Sequence, residues 1–346
     1  MAIDRVFSQP VPDEDGFMLS LRPRSLDEYV GQPALREQLL ISLEAARQRR
    51  EPLDHLLLDG PPGLGKTTLA HIIAHEMNAT IRVTSGPAVG RQGDVMALLT
   101  QMETGDILFI DEIHRLSPVV EEFLYPAIED FRVDFTPESG IGGRTVNFAL
   151  PRFTLIGATT RAGMLSAPLR GRFGQVLHLR FYPAEELMLI AERSAARLRV
   201  SADADALQCL AQRSRGTPRI VNRLLRRVRD YAQVRGDGRL TARIVDAALD
   251  ILQIDALGLD VLDREYLHVL IRHYDGGPAG IEAIAAAMGH ERDTLEDVVE
   301  PFLLQRNFVV RTPRGRVIRP DAYAHLGLAP PPRATAEPAP PGLFEV

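Results

Sequence analysis

The segment Gly60–Thr67 restricts what this chain can fold into more than any other part of the sequence. Its spelling, GPPGLGKT, matches the pattern G-x-x-x-x-G-K-[ST] of a phosphate-binding P-loop. Lys66 is the only lysine of the chain, and an ammonium is a compact charge that fits between phosphates better than a planar guanidinium does. Residues 55–59 before the loop read as a buried strand, and residues 67–74 after it read as a helix start. We therefore predict a nucleoside triphosphate site, since a glycine-rich turn with an incidental lysine would need neither flank.

The composition is typical of a globular protein and excludes several classes. The 346 residues suffice for two or three domains, and no apolar run approaches the roughly 18 residues of a membrane span. Residues 1–6 lack the order of a secretory signal, and no Cys or His cluster has zinc spacing. The lone cysteine, Cys209, lies in an apolar helical pattern, which predicts a buried thiol and no internal disulfide. We expect a cytoplasmic protein that does not enter a membrane.

The order of predicted strands and helices indicates three domains between two loose ends. Residues 21–182 alternate strand-like and helical segments, which predicts an α/β P-loop domain with a parallel sheet. Its strands are predicted at His55–Asp59, Thr80–Thr84, Ile107–Ile110, Phe153–Gly157 and Val176–Arg180. Residues 183–254 predict an all-α domain whose four helices are Ala184–Leu198, Asp203–Arg213, Pro218–Val234 and Thr241–Leu252. Thr217 is expected to cap the third of these helices.

Residues 255–328 have the pattern of a winged helix. Three helices are predicted at Val261–Tyr274, Ile281–Met288 and Asp293–Gln305, followed by two short strands around a Pro-Gly turn. Residues 1–20 are polar and predict a flexible arm, while the Pro- and Ala-rich residues 329–346 predict a disordered tail.

A second element completes the nucleotide site. Residues 107–112 form an apolar run that ends in two acids, the Walker B pattern, about 45 residues after the P-loop. Lys66 is expected to bridge the β- and γ-phosphates of ATP, and Thr67 to ligate Mg²⁺. Asp111 is expected to hold the magnesium hydration shell, and Glu112 to polarise the attacking water.

Two further polar groups follow other predicted strands. Thr159, within residues 157–161, offers a hydroxyl beside the γ-phosphate, although hydroxyls at strand ends are common. Arg172 and Arg170 lie near the end of the α/β domain. An arginine that completes a neighbour's site can speed phosphoryl transfer by ~10³-fold or more, whereas the alternative for these arginines is surface charge.

These motifs, with Gly216–Arg219 on a helical lid, together resemble the AAA+ ATPases. The chain resembles the RuvB family, bacterial motors of Holliday junction branch migration, in residues 21–32, Asp111–Leu116, Gly157–Arg161, Gly216–Arg219 and Arg311–Arg316. The resemblance covers about residues 21–328, which is nearly the whole chain. One departure is Gly171, where many members have an acid, and it leaves the arginine loop more flexible.

The resemblance implies a role for each matching residue. Leu21, Arg22 and Tyr182 would line the adenine pocket. The phosphates would be held by Gly63, Gly65, Lys66, Thr67 and Thr68. Arg172 would act as a finger in a neighbour's site and Arg219 as a lid sensor. Glu129, Asp130 and Phe131 would lie at the subunit boundary.

Arginines of the predicted winged helix are candidates for DNA contact. The net charge of −6 argues against a general nucleic-acid binder, yet residues 306–319 carry five arginines and no acid. Arg311 and Arg316 flank the predicted wing turn, and Arg292 precedes a helix that is rich in acids. We expect phosphate contacts without base readout and a strong salt dependence. A wing that packs on a protein partner is the alternative.

Residues 131–153 read as a hairpin, because two alternating segments flank glycine-rich residues 140–143. The resemblance implies that this hairpin binds a RuvA-like junction protein, and that a hexamer acts with a RuvC-like resolvase in a larger complex. The leading interpretation is an ATP- and Mg²⁺-dependent translocase that pumps duplex DNA through a junction. The rivals are an ATP-switched loader that does not translocate and a scaffold with a degenerate nucleotide site; the intact motifs speak against the scaffold.

Overall fold

Residues 20–135 and 146–330 are described by the computed structural model. Its backbone contacts divide the chain into two compact units, with the division between Ala248 and Leu249. The predicted hairpin tip, the tail after residue 330 and nearly all of the predicted arm lie outside the described residues.

The first unit is built on a parallel five-stranded sheet of order β2-β3-β6-β1-β7. Its strands are β1 Leu56–Asp59, β2 Ile81–Ser85, β3 Ile107–Asp111, β6 Thr154–Thr159 and β7 Gln175–His178. The side chains of β3 and β6 are buried almost throughout, as expected for central strands covered on both faces. The predicted parallel α/β fold is confirmed, and all five predicted strands are present with bounds shifted by one or two residues.

One helix of this α/β layer precedes β1 and the others follow strands of the sheet. They are α1 Pro33–Arg49, α2 Lys66–Met77, α3 Gln92–Leu99, α4 Pro118–Glu129 and α5 Ala167–Arg170. A separate antiparallel hairpin, β4 Arg132–Phe135 and β5 Val146–Ala149, pairs Arg132 with Ala149 and Val133 with Phe148. Val133 is buried in the core, whereas Phe148 is exposed. The stem of the predicted hairpin is therefore present.

Four helices form the lid, and the division between the two units falls inside the fourth of them. They are α6 Ala184–Arg197, α7 Ala204–Gln212, α8 Pro218–Arg235 and α9 Ala242–Ile251. Helix α8 buries Val221, Leu224, Leu225 and Val228, the spacing of one helical face. It begins at Pro218 as predicted, and Thr217 occupies the N-cap position. The Thr217 side chain makes no capping hydrogen bond; its hydroxyl donates to the Ser214 carbonyl at 3.2 Å.

The second unit is the predicted winged helix. Its elements are α10 Val261–Tyr274, α11 Ile281–Met288, α12 Arg292–Thr294, α13 Glu300–Gln305, β8 Val309–Thr312, β9 Gly315–Ile318 and α14 Pro320–His325. The single helix predicted over 293–305 is wrong in detail, because a π-helical turn, Leu295–Val299, separates α12 from α13. Pro301 explains the interruption, since proline lacks an N–H and its ring displaces the carbonyl four residues earlier.

None of the helices within residues 20–135 and 146–330 is long and apolar enough to cross a membrane.

Candidate nucleotide site

The P-loop joins β1 to α2 through a backbone that requires glycine. Gly63 and Gly65 have φ angles of 81° and 98°, in the left-handed region that side chains disfavour. Helix α2 begins at Lys66, so the N–H groups of its first turn, which include Thr67 and Thr68, point out of the helix end. A helix N-terminus of this kind binds phosphate.

The ammonium of Lys66 is held inside the loop. Its Nζ donates to the carbonyls of Gly60 at 2.7 Å and Pro61 at 3.1 Å, and the residue is only 7% exposed. Burial lowers the pKa of Lys66, and the carboxylates of Glu112 and Asp111 oppose that change. A buried cation beside acids is suited to a polyanion such as a triphosphate.

The two predicted magnesium ligands meet at one edge of the sheet. Strand β6 separates β1 from β3, yet Thr67 Oγ1 donates to Asp111 Oδ2 at 3.3 Å. Hydroxyl and carboxylate oxygens are the hard ligands that Mg²⁺ prefers. The residues present therefore fit Mg²⁺.

Glu112 follows Asp111 in an uncommon backbone conformation with a φ of 48°. Thr160 Oγ1 donates to Glu112 Oε2 at 3.2 Å, and His114 Nδ1 lies 3.3 Å from the same oxygen. The Glu112 side chain is about one-third exposed, at 34%. A carboxylate oriented by two neighbours and still open to solvent is suited to activating water.

Two adjacent threonines at the end of β6 have different partners in the structure. Thr159, which was expected beside the γ-phosphate, is fully buried; its hydroxyl lies 3.0 Å from His114 Nδ1 and accepts from the Arg161 N–H. Thr160 is the residue that reaches Glu112. Successive side chains of a strand point in opposite directions, so of two adjacent threonines only one can face the site. Thr160 and His114 are the residues that sequence reasoning missed, although both lie inside motifs it had singled out.

Tyr182, which the resemblance assigns to the adenine pocket, is buried. Its hydroxyl is 2.8 Å from that of Tyr29 and 3.4 Å from the P-loop carbonyl of Leu64. Burial raises the pKa of Tyr29 to about 12, so this hydroxyl pair stays neutral. Leu21 is 1% exposed. The neighbouring residue Arg22 lies close enough to His71 of α2 to affect its pKa. Burial is the larger cause that lowers the His71 pKa, and the positive charge of Arg22 is the smaller one.

Arg219 brings the lid to the phosphate side. Its backbone N–H donates to the Gly63 carbonyl at 3.3 Å. A Cβ at Gly63 would lie 3.3 Å from the Cβ of Arg219, which is closer than most such contacts. The lid helix α8 therefore starts against the P-loop, with the Arg219 charge near enough to act on the pKa of Lys66.

Arg172 and Glu129, both expected at a subunit boundary, contact each other. Arg172 Nη2 lies 3.0 Å from Glu129 Oε2, its Nη1 donates to the Pro168 carbonyl at 2.8 Å, and its guanidinium lies 4.2 Å from the centre of the Tyr125 ring. Gly171 has a φ of −67°, so this position does not need glycine. These contacts hold the arginine in a defined place.

The other two residues expected at the boundary have separate partners. Asp130 pairs with Arg132 at 3.0 Å. The Phe131 ring packs edge-on against Phe153, with 5.8 Å between ring centres.

The three arginines proposed to bind DNA are all paired with acids in the second unit. Arg311 Nε donates to Glu300 Oε2 at 2.8 Å, and Arg316 Nε donates to Glu300 Oε1 at 2.8 Å. Arg292 pairs with Glu282 at 3.0 Å. The Arg311 and Arg292 side chains are about half exposed, at 50% and 52%, whereas that of Arg316 is 15% exposed.

A parallel sheet with a P-loop, an Asp-Glu strand end and a helical lid bearing Arg219 defines an ATPase of the AAA+ class. Three family models match: the P-loop domain of the Holliday junction DNA helicase RuvB over residues 21–179, the RuvB AAA lid domain over 182–255, and the RuvB C-terminal winged helix domain over 256–327. The chain belongs to the RuvB family, and the predicted resemblance is confirmed.

Solved structures agree with this assignment. The chain is similar to Thermotoga maritima RuvB, described as a Holliday junction branch migration motor, with 51% identity, a TM-score of 0.83, and coverage of 90% of this chain and 100% of that one. A lysine-to-arginine mutant of the same Thermotoga protein matches with 51% identity, a TM-score of 0.84, and coverage of 90% of this chain and 99% of that chain.

Proposed function

We propose that this chain is the ATP-driven motor of Holliday junction branch migration, and that it works in the cytoplasm as a hexameric ring around duplex DNA. In this proposal a RuvA-like protein loads it onto the junction, and a RuvC-like resolvase joins the larger complex. The observation that carries the proposal is the contact between Thr67 and Asp111 beside the buried Lys66, in a chain that also has a winged helix.

In the proposed reaction ATP binds with its phosphates on the P-loop and Lys66. Thr67 and Asp111 hold Mg²⁺, which neutralises charge on the phosphates when bound. Glu112 accepts a proton from the attacking water, while Thr160 and His114 keep its carboxylate oriented. Arg219 couples the presence of the γ-phosphate to the position of the lid, because its helix begins at the P-loop.

A neighbour's Arg172 stabilises the charge that develops on the transferred phosphoryl group. The contacts of Arg172 with Glu129 and the Tyr125 ring support this role, since a finger must be pre-positioned on its own subunit. Glu129 at 54% exposure is accessible to a second subunit.

The winged helix is proposed to contact duplex phosphates through arginines of the wing. Arg311 is half exposed and Arg314 is exposed, so both are available to an external anion. Acidic residues of the preceding helices, including Glu282 and Glu296, lie beside Arg292 and disfavour entry into a major groove. This charge arrangement supports backbone contacts without base readout.

The hairpin β4–β5 is proposed to bind the RuvA-like partner. Its stem carries Phe148 with 39% of the residue exposed, an apolar group available to another protein. Replacing Phe148 with Ser, or deleting residues 138–144, is expected to abolish stimulation by the partner and to preserve basal ATP binding. Unchanged stimulation in both variants would reject the assignment.

The decisive experiment is branch migration of a synthetic four-way junction with the partner protein. Lys66→Ala is expected to lose ATP binding and migration together. Glu112→Gln is expected to bind ATP and to hydrolyse it about 100-fold more slowly or worse. A parent protein that hydrolyses ATP on DNA without displacing the junction would favour the loader, and Glu112→Gln with the parent rate would overturn the general-base assignment.

A further inference from the structure

One face of lid helix α6 is directed at the segment that precedes the P-loop domain's first helix. Glu186, Arg193 and Arg197 are spaced by seven and four residues, which places them on one side of a helix. The buried side of α6, which packs within the lid, consists of Leu187, Ile190, Ala191, Ser194 and Ala195. The charged stripe therefore lies outside the buried side of the helix.

The two arginines of the stripe bind residues 22–28 of the base-side segment, which we define as residues 21–32. Arg197 donates to the Arg22 carbonyl at 2.7 Å and to Glu28 Oε2 at 2.7 Å. Arg193 donates to the Glu28 carbonyl. Two of these three acceptors are main-chain carbonyls, so the contacts fix the path of the backbone.

The base-side segment is also closed on itself and against the start of α6. The Arg24 N–H donates to Glu28 Oε2 at 2.9 Å, the carboxylate that Arg197 contacts. A Cβ on Gly31 would lie 2.4 Å from Glu186 Oε2 and 2.6 Å from Tyr182, which leaves room only for glycine. The segment thus lies along α6 from Arg197 at one end to Glu186 at the other.

We infer that Arg197, assisted by Arg193, is a positioning residue for the adenine pocket. These arginines anchor the backbone of residues 22–28 to the lid, so that Leu21 and Arg22 are presented to the base. The inference rests on the proposed ATP site and deepens it, because it assigns the base side of recognition to the lid helix α6. The phosphate side has a separate connection to the lid through Arg219 and Gly63.

The base side and the phosphate side of the site contact the lid through different residues. Two ligands, one with a base and one without, can therefore test the base side separately. We would measure binding of magnesium ADP and of magnesium tripolyphosphate to the full chain by calorimetry, since tripolyphosphate has no base. Arg197→Ala is expected to weaken ADP binding by about tenfold, the loss typical of a charged hydrogen bond, and to leave tripolyphosphate binding unchanged. Arg197→Lys, which retains the charge and a donor, is expected to recover part of the ADP affinity.

Arg243→Ala is the matched control, because Arg243 is an exposed arginine of the same lid. The inference is overturned if Arg197→Ala binds ADP as the parent does, or if it loses both ligands equally, which would indicate general damage to the site. A parent that binds neither ligand would instead overturn the proposed ATP site and this inference with it.

Discussion

Arg316 and Glu300 form an ion pair in which the acid is completely buried. Arg316 Nε donates to Glu300 Oε1 at 2.8 Å, and the Glu300 side chain has 0% of its surface exposed. Tyr266, also buried, donates to the same carboxylate at 2.7 Å, and Arg311 reaches its other oxygen. Because a buried carboxylate is tolerated only with such partners, Glu300 fixes both strands of the wing to the helices below.

Replacing Glu300 with Gln is expected to destabilise the second unit by about 2 kcal/mol, because two guanidinium groups lose their counter-charge. Hydrogen–deuterium exchange in α10 and in the wing should rise, while exchange in the P-loop domain should not. Glu265→Gln, an exposed acid of α10, is the control. Equal exchange in the Glu300→Gln variant and the parent would contradict the anchoring role.

The same carboxylate predicts a pH dependence. Burial alone would raise the pKa of Glu300, but the hydrogen bonds from Arg316, Tyr266 and Arg311 outweigh it and lower the pKa below its ordinary value. A depressed pKa contributes stability above the unfolded value and loses it as pH falls through the folded value. The stability gap between the parent and Glu300→Gln should therefore be constant at neutral pH and narrow below a pH of about 4.5. Urea denaturation followed by circular dichroism measures it, and a gap that widens in acid would refute the assignment.

Two wing arginines should behave differently on DNA. Arg314→Ala is expected to weaken duplex binding and to reduce the slope of log affinity against log salt by about one, without a change in stability. Arg316→Ala is expected to lower the thermal stability of the second unit as well, because its side chain is 15% exposed and holds Glu300. Binding titrations across salt concentrations, beside thermal melts, separate the two effects; similar stability losses in both variants would reject the distinction.

Thr160 is expected to matter for chemistry and Thr159 for folding. Thr160→Val removes the hydroxyl on Glu112 and should slow hydrolysis by about tenfold while ADP binding is retained. Thr159→Val removes a fully buried hydrogen bond and should lower the melting temperature. Steady-state hydrolysis and thermal melts on both variants check this, and the reverse pattern would show that Thr159 faces the nucleotide.

Mixing subunits tests whether Arg172 acts in a neighbour's site. Lys66→Ala and Arg172→Ala proteins are each expected to be inactive alone. If the finger acts between subunits, random mixing leaves about a quarter of the sites with both groups intact, so hydrolysis reappears. A finger that acted within its own chain would give no recovery at any mixing ratio. Mixing each variant with parent protein controls for subunit exchange.

Much of the fold was predictable because its signals are local. The apolar strands, the helical spacing and the turn before Gly315 each depend on a few adjacent residues, and these elements are present in the structure. The nucleotide motifs were equally readable, since β1 and β3 must bring Lys66 and Asp111 to one edge of a parallel sheet.

The details that the sequence did not reveal depend on three-dimensional neighbours. Whether Thr159 or Thr160 faces Glu112 is decided by the direction of one side chain at a strand end. Glu300, the acid that binds Arg311 and Arg316, lies in a helix whose acids were interpreted from the sequence only as unfavourable for DNA contact. Contacts of Arg197 with residues 22 and 28 join positions that are over 160 residues apart, beyond the reach of periodicity.

The π-helical turn at Leu295–Val299 has a consequence for how the wing tolerates insertions and deletions. One extra residue in a turn rotates everything after it by about 100° relative to an ordinary α-helix, and that rotation is part of what directs Glu300 inward. Removing a single residue here would preserve the helix but turn the Glu300 carboxylate away from the wing. The wing would then lose its buried acidic partner, although all of its arginines would still be present.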